Sequence, residues 1–262
     1  MNYPGIIAVG FALMTISAPL IARGGEIKVL SSGALKLALP QLVANFRKLS
    51  GNTLSIEYGP AGAIADRVRK GEAADVVIVT QSQLEDLESQ GKVVRGSRVD
   101  IAGIALGVAV RKGAPKRDIG TAEAFKRALL AARSIAYRDP ATGSTSGIYT
   151  ARMIERLGIS EDLKSKTKLD RSPGDRPENV FNRVASGEVE IQIGQITEIA
   201  IAPGVDLVGP LPGELQNVSV LAAGIATASQ AREAAKALIG FVSSPAAAAM
   251  LKANGFKPVA TN

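Results

Sequence analysis

The sequence predicts an α/β protein of two units, each a mostly parallel sheet flanked by helices. Three observations carry that expectation. Strand and helix signals alternate from residue 26 onward, as βαβ units require. The run ADVVIVT at 74–80 is continuously apolar, the mark of a parallel strand covered on both faces. The same alternation restarts near residue 121, and 262 residues suffice for two units of roughly 100–150 each.

In chain order, 26–30 (EIKVL) reads as a strand ending in Ser31, Ser32 and Gly33. Leu35, Leu39, Leu42, Phe46 and Leu49 then recur at helical spacing. Pro40 kinks or delays that helix, and Gly51 closes it as a left-handed residue. Residues 53–58 form a second strand, 59–63 a run of small residues, and 64–70 a helix before the strand at 74–80. Residues 103–110 (GIALGVAV) read as one further strand, and 112–115 (KGAP) as a hinge or loop. The second unit offers a helix at 121–131, a strand at 134–137, a glycine-rich loop and a helix at 147–157. A helix near 178–185 leads to a strand at 190–194. A Gly/Pro-rich stretch (PGVDLVGPLPGEL), a strand at 218–226 and two Ala-rich helices complete the chain. The expected division is lobe one at 23–112 plus 205–262 and lobe two at 113–204.

Residues 6–22 (IIAVGFALMTISAPLIA) are apolar but short for a membrane span and contain Pro19. They fit the middle of a secretory signal covering 1–22, with cleavage near Ala22, although 1–5 lack Lys and Arg. The chain has no Cys, so no lipid-attachment site follows the apolar run. A soluble protein exported to the periplasm is the expectation.

Composition prunes the chemistry. With neither His nor Cys, the chain lacks the usual ligands for zinc, copper, haem or iron–sulfur clusters, and triads built on His or Cys are excluded. No cofactor and no metal site are expected. Lys and Arg number 31 against 24 Asp and Glu, a net charge of +7. That excess is interleaved with acidic residues, and at 4% aromatics the chain has too few stacking platforms for nucleic acid.

Three strand-to-helix loops are rich in donors: Ser31-Ser32-Gly33, Gly59-Pro60-Ala61-Gly62, and residues 139–147 (DPATGSTSG). Helix N-termini with small residues and hydroxyls suit an anion, and open sheets collect ligands at such strand ends. Each loop alone also reads as an ordinary helix cap. None matches a phosphate loop or GxGxxG.

Four stretches, EIKVLSSGAL, GPAGAIADRVRKGEAADVVIV, YRDPATGSTSGIY and FVSSPAAAAMLKANGF, occur in the order and spacing of the molybdate-binding periplasmic proteins, and the chain resembles that family from about Glu26 to Phe256. The resemblance implies a two-lobed periplasmic-binding-protein (type II) fold and a receptor that closes on a small anion for an ABC importer. It implies a membrane permease as partner, with the receptor a monomer. Carried over by position, the ligand-binding residues are Ser31, Ser32 and Gly33, then Ala61, Gly62 and Ala63, then Ser146 and Gly147, with Asn179 and Val180 from the PENV stretch and Gln195 at a strand end. Gly33 stands for the family's first-loop serine, Pro60-Ala61-Gly62 for its second-loop serine cluster, and Gln195 for its tyrosine.

Charges flank these loops: Lys36 after the first, Arg138 and Asp139 before the third, and Arg171, Asp175 and Arg176 before PENV. Arg138 and Arg176 are candidate ligand contacts, and Lys36 and Arg171 read as solvated surface charge. A guanidinium grips a planar carboxylate through two bonds, so a small carboxylate competes with an oxyanion. The chain also resembles aconitate isomerase, which moves a double bond in a tricarboxylate without a metal. For that chemistry the candidate bases are Glu198, Asp139, Tyr149 or a Lys, with Glu198 the best single choice.

Overall fold

The computed structural model describes residues 25–36, 38–172 and 179–259. The expected signal segment 1–22 and the charges Asp175 and Arg176 lie outside these residues.

Two five-stranded mixed sheets form the molecule. The first uses β1 (Glu26–Ser32), β2 (Thr53–Gly59), β3 (Val76–Thr80) and β4 (Val99–Ile104), interleaved with α1 (Leu39–Ser50), α2 (Ala61–Arg69) and α3 (Gln81–Ser89). The chain then passes to the second sheet with β5 (Leu106–Arg111), α4 (Ala122–Ala131), β6 (Ile135–Arg138), α5 (Thr145–Arg156) and α6 (Ser160–Lys164). β7 (Thr167–Asp170), α7 (Asn182–Ala185), β8 (Ile191–Gln195), α8 (Ile196–Ile199) and β9 (Val205–Pro210) complete that lobe. β10 (Ser219–Ile225), α9 (Arg232–Val242) and α10 (Pro245–Ala253) return to the first. Strand orders are β2-β1-β3-β10-β4 and β7-β6-β8-β5-β9.

The strands are parallel where helices connect them. β10 runs antiparallel to β3 and β4, and β5 antiparallel to β8 and β9, because these two strands arrive from the other lobe. Each sheet is covered on both faces. Leu42 and Phe46 of α1 join Leu238 and Val242 of α9 on one face of the first sheet. Ile64, Leu84 and Leu87 cover the other. Phe125, Leu129 and Met153 pack on one face of the second sheet, and Phe181 and Val184 on the other. Burying each such side chain contributes about 1.5–3 kcal/mol.

Several expectations are corrected. The run GIALGVAV is two strands, not one. β4 ends at Ile104, β5 begins at Leu106, and Ala105 carries the chain between sheets. Apolar continuity does not register a change of sheet when both strands are fully buried. The lobe boundaries move accordingly: β5 and β9, assigned to lobe one by the limits 112 and 205, belong to the second sheet. Lobe one is 25–104 plus 219–259, and lobe two is 106–210. The KGAP segment is a turn following β5, with Gly113 at φ +76°, and not the hinge. The connection instead rests on Ala105 and the returning segment after β9. There the Gln216 side-chain amide donates to the Leu106 carbonyl at 2.9 Å while its Oε1 accepts from Leu106 N–H at 2.9 Å.

Locally, Pro40 delays α1 rather than kinking it. A 3-10 turn fills 33–35, and the helix opens at Leu39 with Pro40 in its first turn. Gly51 closes it at φ +72°. Leu49, expected on the apolar face, is 78% exposed. α3, α6, β7 and β9 were not anticipated.

Asp75 ties the first lobe together. Its carboxylate accepts from Lys28 N–H of β1 (2.9 Å), Ser229 Oγ (2.7 Å) and Ala231 N–H at the start of α9 (3.3 Å). Desolvation opposes its ionisation, but these bonds outweigh that and hold the carboxyl below its ordinary 3.8. A depressed carboxyl stabilises the fold fully above its ordinary value and loses that increment as pH falls through the native one. Asp75→Ala strands three donors and is expected to lower stability by about 1–3 kcal/mol. In denaturant titrations the gap from the native protein is expected to be constant at neutral pH and to narrow as pH falls below 3.8.

Candidate ligand-binding site

The register of the sheets decides which residues meet. Ser32 of β1 lies beside Gly59 of β2, and Leu221 of β10 beside Thr80 of β3, so these strand ends share one rim of lobe one. In lobe two Arg138 lies beside Asp170, and Gln195 beside Leu106. The two rims face each other across a cleft lined on one side by Ser32, Gly33, Pro60, Ala61, Thr80 and Ser219, and on the other by Arg138, Ser144, Thr145, Ser146, Gln195 and Glu198.

On the lobe-one wall, Ser31 is fully buried and its Oγ donates to the Ser32 carbonyl at 3.1 Å, fixing the strand end. α2 begins after Pro60, which supplies no side-chain cap, so its leading N–H groups depend on partners outside the helix. One such partner comes from the opposite lobe: Gly62 N–H donates to the Gly143 carbonyl at 3.2 Å. A Cβ at 62 would sit 2.7 Å from that oxygen, so the lobes approach this closely only because the residue is glycine.

On the lobe-two wall, α5 is capped by Ser144, whose Oγ accepts from Gly147 N–H at 3.3 Å and lies 3.0 Å from Ser146 Oγ. Between them, Thr145 Oγ1 is buried without a hydrogen-bond partner, as is Gln195 Oε1. Unpaired buried polar atoms are rare because each loses its hydration uncompensated. Two of them in the wall of one cleft mark positions where a polar guest would be satisfied.

The charges form two ion pairs, one buried and one reaching the surface. Arg138 Nη1 donates to Asp170 Oδ2 at 3.0 Å and to the Ser172 carbonyl at 2.8 Å, with both side chains over nine-tenths buried. Asp170 Oδ1 also accepts from Ser172 N–H and Oγ. Asp139 accepts from Ala141 N–H and from Arg171 Nε at 2.7 Å, which together hold its carboxyl below the ordinary value. Glu198, in the first turn of α8, behaves oppositely. Burial pushes its carboxyl up to about 7, opposed by the charge of Arg138 and reinforced by that of Asp170. The volume a water centre can reach between the walls is about 30 Å³, room for one or two waters. A larger guest enters only when the lobes part.

Of the residues expected from sequence, the structure brings Ser32, Gly33, Ala61, Arg138, Ser146, Gln195 and Glu198 to this cleft. Ser31 supports the wall from below. Gly62 and Ala63 lie in the first turn of α2 at the contact with Gly143 and do not line the cavity. Gly147 backs onto β6, where a Cβ would collide with the Arg138 carbonyl oxygen; its glycine serves packing. Asn179 and Val180 lie in a separate depression beside Asp170 and Arg171, and Val180 is core, its carbonyl accepting from Gln192 Nε2 at 2.7 Å. Tyr149 donates to the Leu215 carbonyl at 3.0 Å and is no base of the cleft. Sequence reasoning missed Thr80, Asp170 and Ser219. The first two end strands, a position that already singled out Ser32 and Arg138. Ser219 opens an antiparallel strand and carries no such signal.

The chain matches the family model for bacterial extracellular solute-binding proteins over residues 27–257. It is 34% identical over 256 residues to aconitate isomerase of Pseudomonas sp., covering 95% of this chain and 94% of that protein. It is 24% identical over 259 residues to the molybdate-binding protein of Azotobacter vinelandii, covering 96% of each. Among solved structures, the Azotobacter vinelandii periplasmic molybdate-binding protein superposes with a TM-score of 0.73 at 21% identity, over 89% of this chain and 100% of that one. The two-lobed fold and the match along nearly its whole described length carry the same conclusion: the chain belongs to the bacterial extracellular solute-binding protein family.

Proposed function

We propose that the protein captures a small di- or tricarboxylate between its lobes in the periplasm and delivers it, as a monomer, to the membrane permease of an ABC importer. On this reading residues 1–22 are the export signal. Family membership already makes a small solute the ligand. The observation that carries the reading is the convergence of two helix N-termini, α2 and α5, with the buried Arg138 in one cleft. Helix ends and hydroxyls stabilise negative charge without adding a full counter-charge. Only Nη1 of Arg138 is engaged among the described residues, so Nε and Nη2 offer a planar fork to a carboxylate. The relative named as an aconitate isomerase supports a carboxylate over molybdate.

Binding then selects the closed form, because the ligand contacts both rims only when they meet. A carboxylate ligand at about a hundred times its Kd is expected to stabilise the protein by about 2.7 kcal/mol, raising the thermal midpoint by about 5–10 °C. Molybdate, tungstate and sulfate at equal concentration are expected to shift it less, and the reverse order overturns the carboxylate assignment. Gly62→Val, which obstructs the contact with Gly143, is expected to weaken binding about tenfold or more by calorimetry, with the fold retained.

A second reading, isomerase activity on a small tricarboxylate, is favoured by one observation: a cleft carboxyl that ionises near neutrality. Such a group takes a proton from the carbon beside a double bond and returns it to the far alkene carbon, shifting the double bond with no net change in atoms. In both readings an anion beside Glu198 favours its protonated form, so affinity is expected to fall as pH rises through about 7. Glu198→Gln is expected to flatten that dependence while retaining binding. If cis- and trans-aconitate interconvert on the native protein, the same variant is expected to abolish turnover; absence of any interconversion by NMR over hours leaves transport alone.

A further inference from the structure

Lobe two holds a much larger cavity, about 570 Å³, away from the cleft. It opens where β5 ends at Arg111 and where β6 and β8 begin, whereas the cleft meets the opposite ends of β6 and β8. Val108, Val110 and Ile191 of the sheet lie buried behind it with Ile119 and Val189, and its accessible apolar lining is Ala114, Pro115 and Val208. Its rim is cationic. Arg117 Nη2 donates to Glu190 Oε1 at 2.6 Å, and Arg133 donates to Glu190 Oε2 through its backbone N–H (2.9 Å) and Nε (3.2 Å). Arg111 completes the rim and has no ion-pair partner among the described residues. Three guanidiniums and one carboxylate therefore line the rim, with Arg117 and Arg133 held by Glu190.

Desolvation opposes the ionisation of Glu190, yet its two arginines outweigh it and hold the carboxyl near 2, so Glu190 remains charged and fixes Arg117 and Arg133 in place. A cavity of this volume lies within the range that small organic ligands fill, and apolar lining with a few placed polar groups is the usual composition of such sites. Excess guanidinium at the mouth selects for negative charge, and a guanidinium without an acidic partner is open to carboxylate or sulfonate oxygens.

We infer that this cavity is a second binding site, for an amphipathic organic anion whose apolar chain or ring lies against Ala114, Pro115 and Val208 and whose acid group meets Arg111. The site is separate from the cleft, so its occupant does not compete with the transported or isomerised anion.

The probe is anilinonaphthalene sulfonate, titrated by fluorescence into the full folded chain, with octanoate as competitor. Saturable binding displaced by octanoate is expected. Arg111→Glu, a change at an exposed side chain, is expected to weaken binding about tenfold or more, and Ala114→Trp, which fills the cavity, to abolish it. Thermal melts of both variants are expected to remain cooperative, which separates loss of the site from loss of the fold. Absence of saturable binding, or equal affinity in the native protein and both variants, overturns the assignment.

Discussion

The ion pair of Arg138 and Asp170 sets the character of the cleft. Both partners lie at the ends of neighbouring strands β6 and β7, and both are removed from water. A buried pair recovers its desolvation penalty only with good geometry and additional hydrogen bonds, which Ser172 supplies to both partners. Removing either partner would strand a buried charge, a loss of about 3–5 kcal/mol. Because Asp170 neutralises most of Arg138, little attraction remains to keep Glu198 ionised, and burial dominates. The Arg138–Asp170 pair is therefore close to neutral, and Glu198 is partly ionised near pH 7. The anion preference proposed for the cleft rests on oriented N–H groups, hydroxyls and the unengaged edge of a guanidinium.

That arrangement is assembled only when the lobes meet, and the residues that permit the meeting are small. Gly62 and Gly143 touch backbone to backbone across the cleft, and Ala105 passes the chain from one sheet to the other without a bulky side chain. The paired bonds between Gln216 and Leu106 join the two crossing segments, so a braced connection rather than a loose linker carries the chain between the lobes. A few loop positions absorbing the change is the usual form of hinge closure. On the function proposed above the same fold serves capture and release, and with a titrating carboxyl in the wall it also has the elements of a proton-transfer site.

Much of this was legible in the residues. The buried run at 74–80, the closing Gly51 and the three donor-rich loops all lie where local chemistry dictates, because apolar continuity and φ > 0 turns are local properties. Glu198 stood out only by elimination, in a chain with no His or Cys. What stayed hidden depends on distant partners. Ala105 is a crossover because β10 and β5 swap lobes. Val180 is core because Gln192 reaches its carbonyl, and Gly147 is glycine because β6 lies beneath it. Asp170 became part of the site only once β6 and β7 were paired.

The most direct test is a crystal structure of the protein with the carboxylate that best raises its thermal midpoint. The account predicts a single anion bridging the lobes, its oxygens within hydrogen-bond distance of Arg138 and Thr145 on one side and of Ser32 and Gly33 on the other. Glu198 should lie against it, with the Gly62–Gly143 contact closed. An anion held by one lobe alone, or bound elsewhere with the cleft empty, would contradict the account.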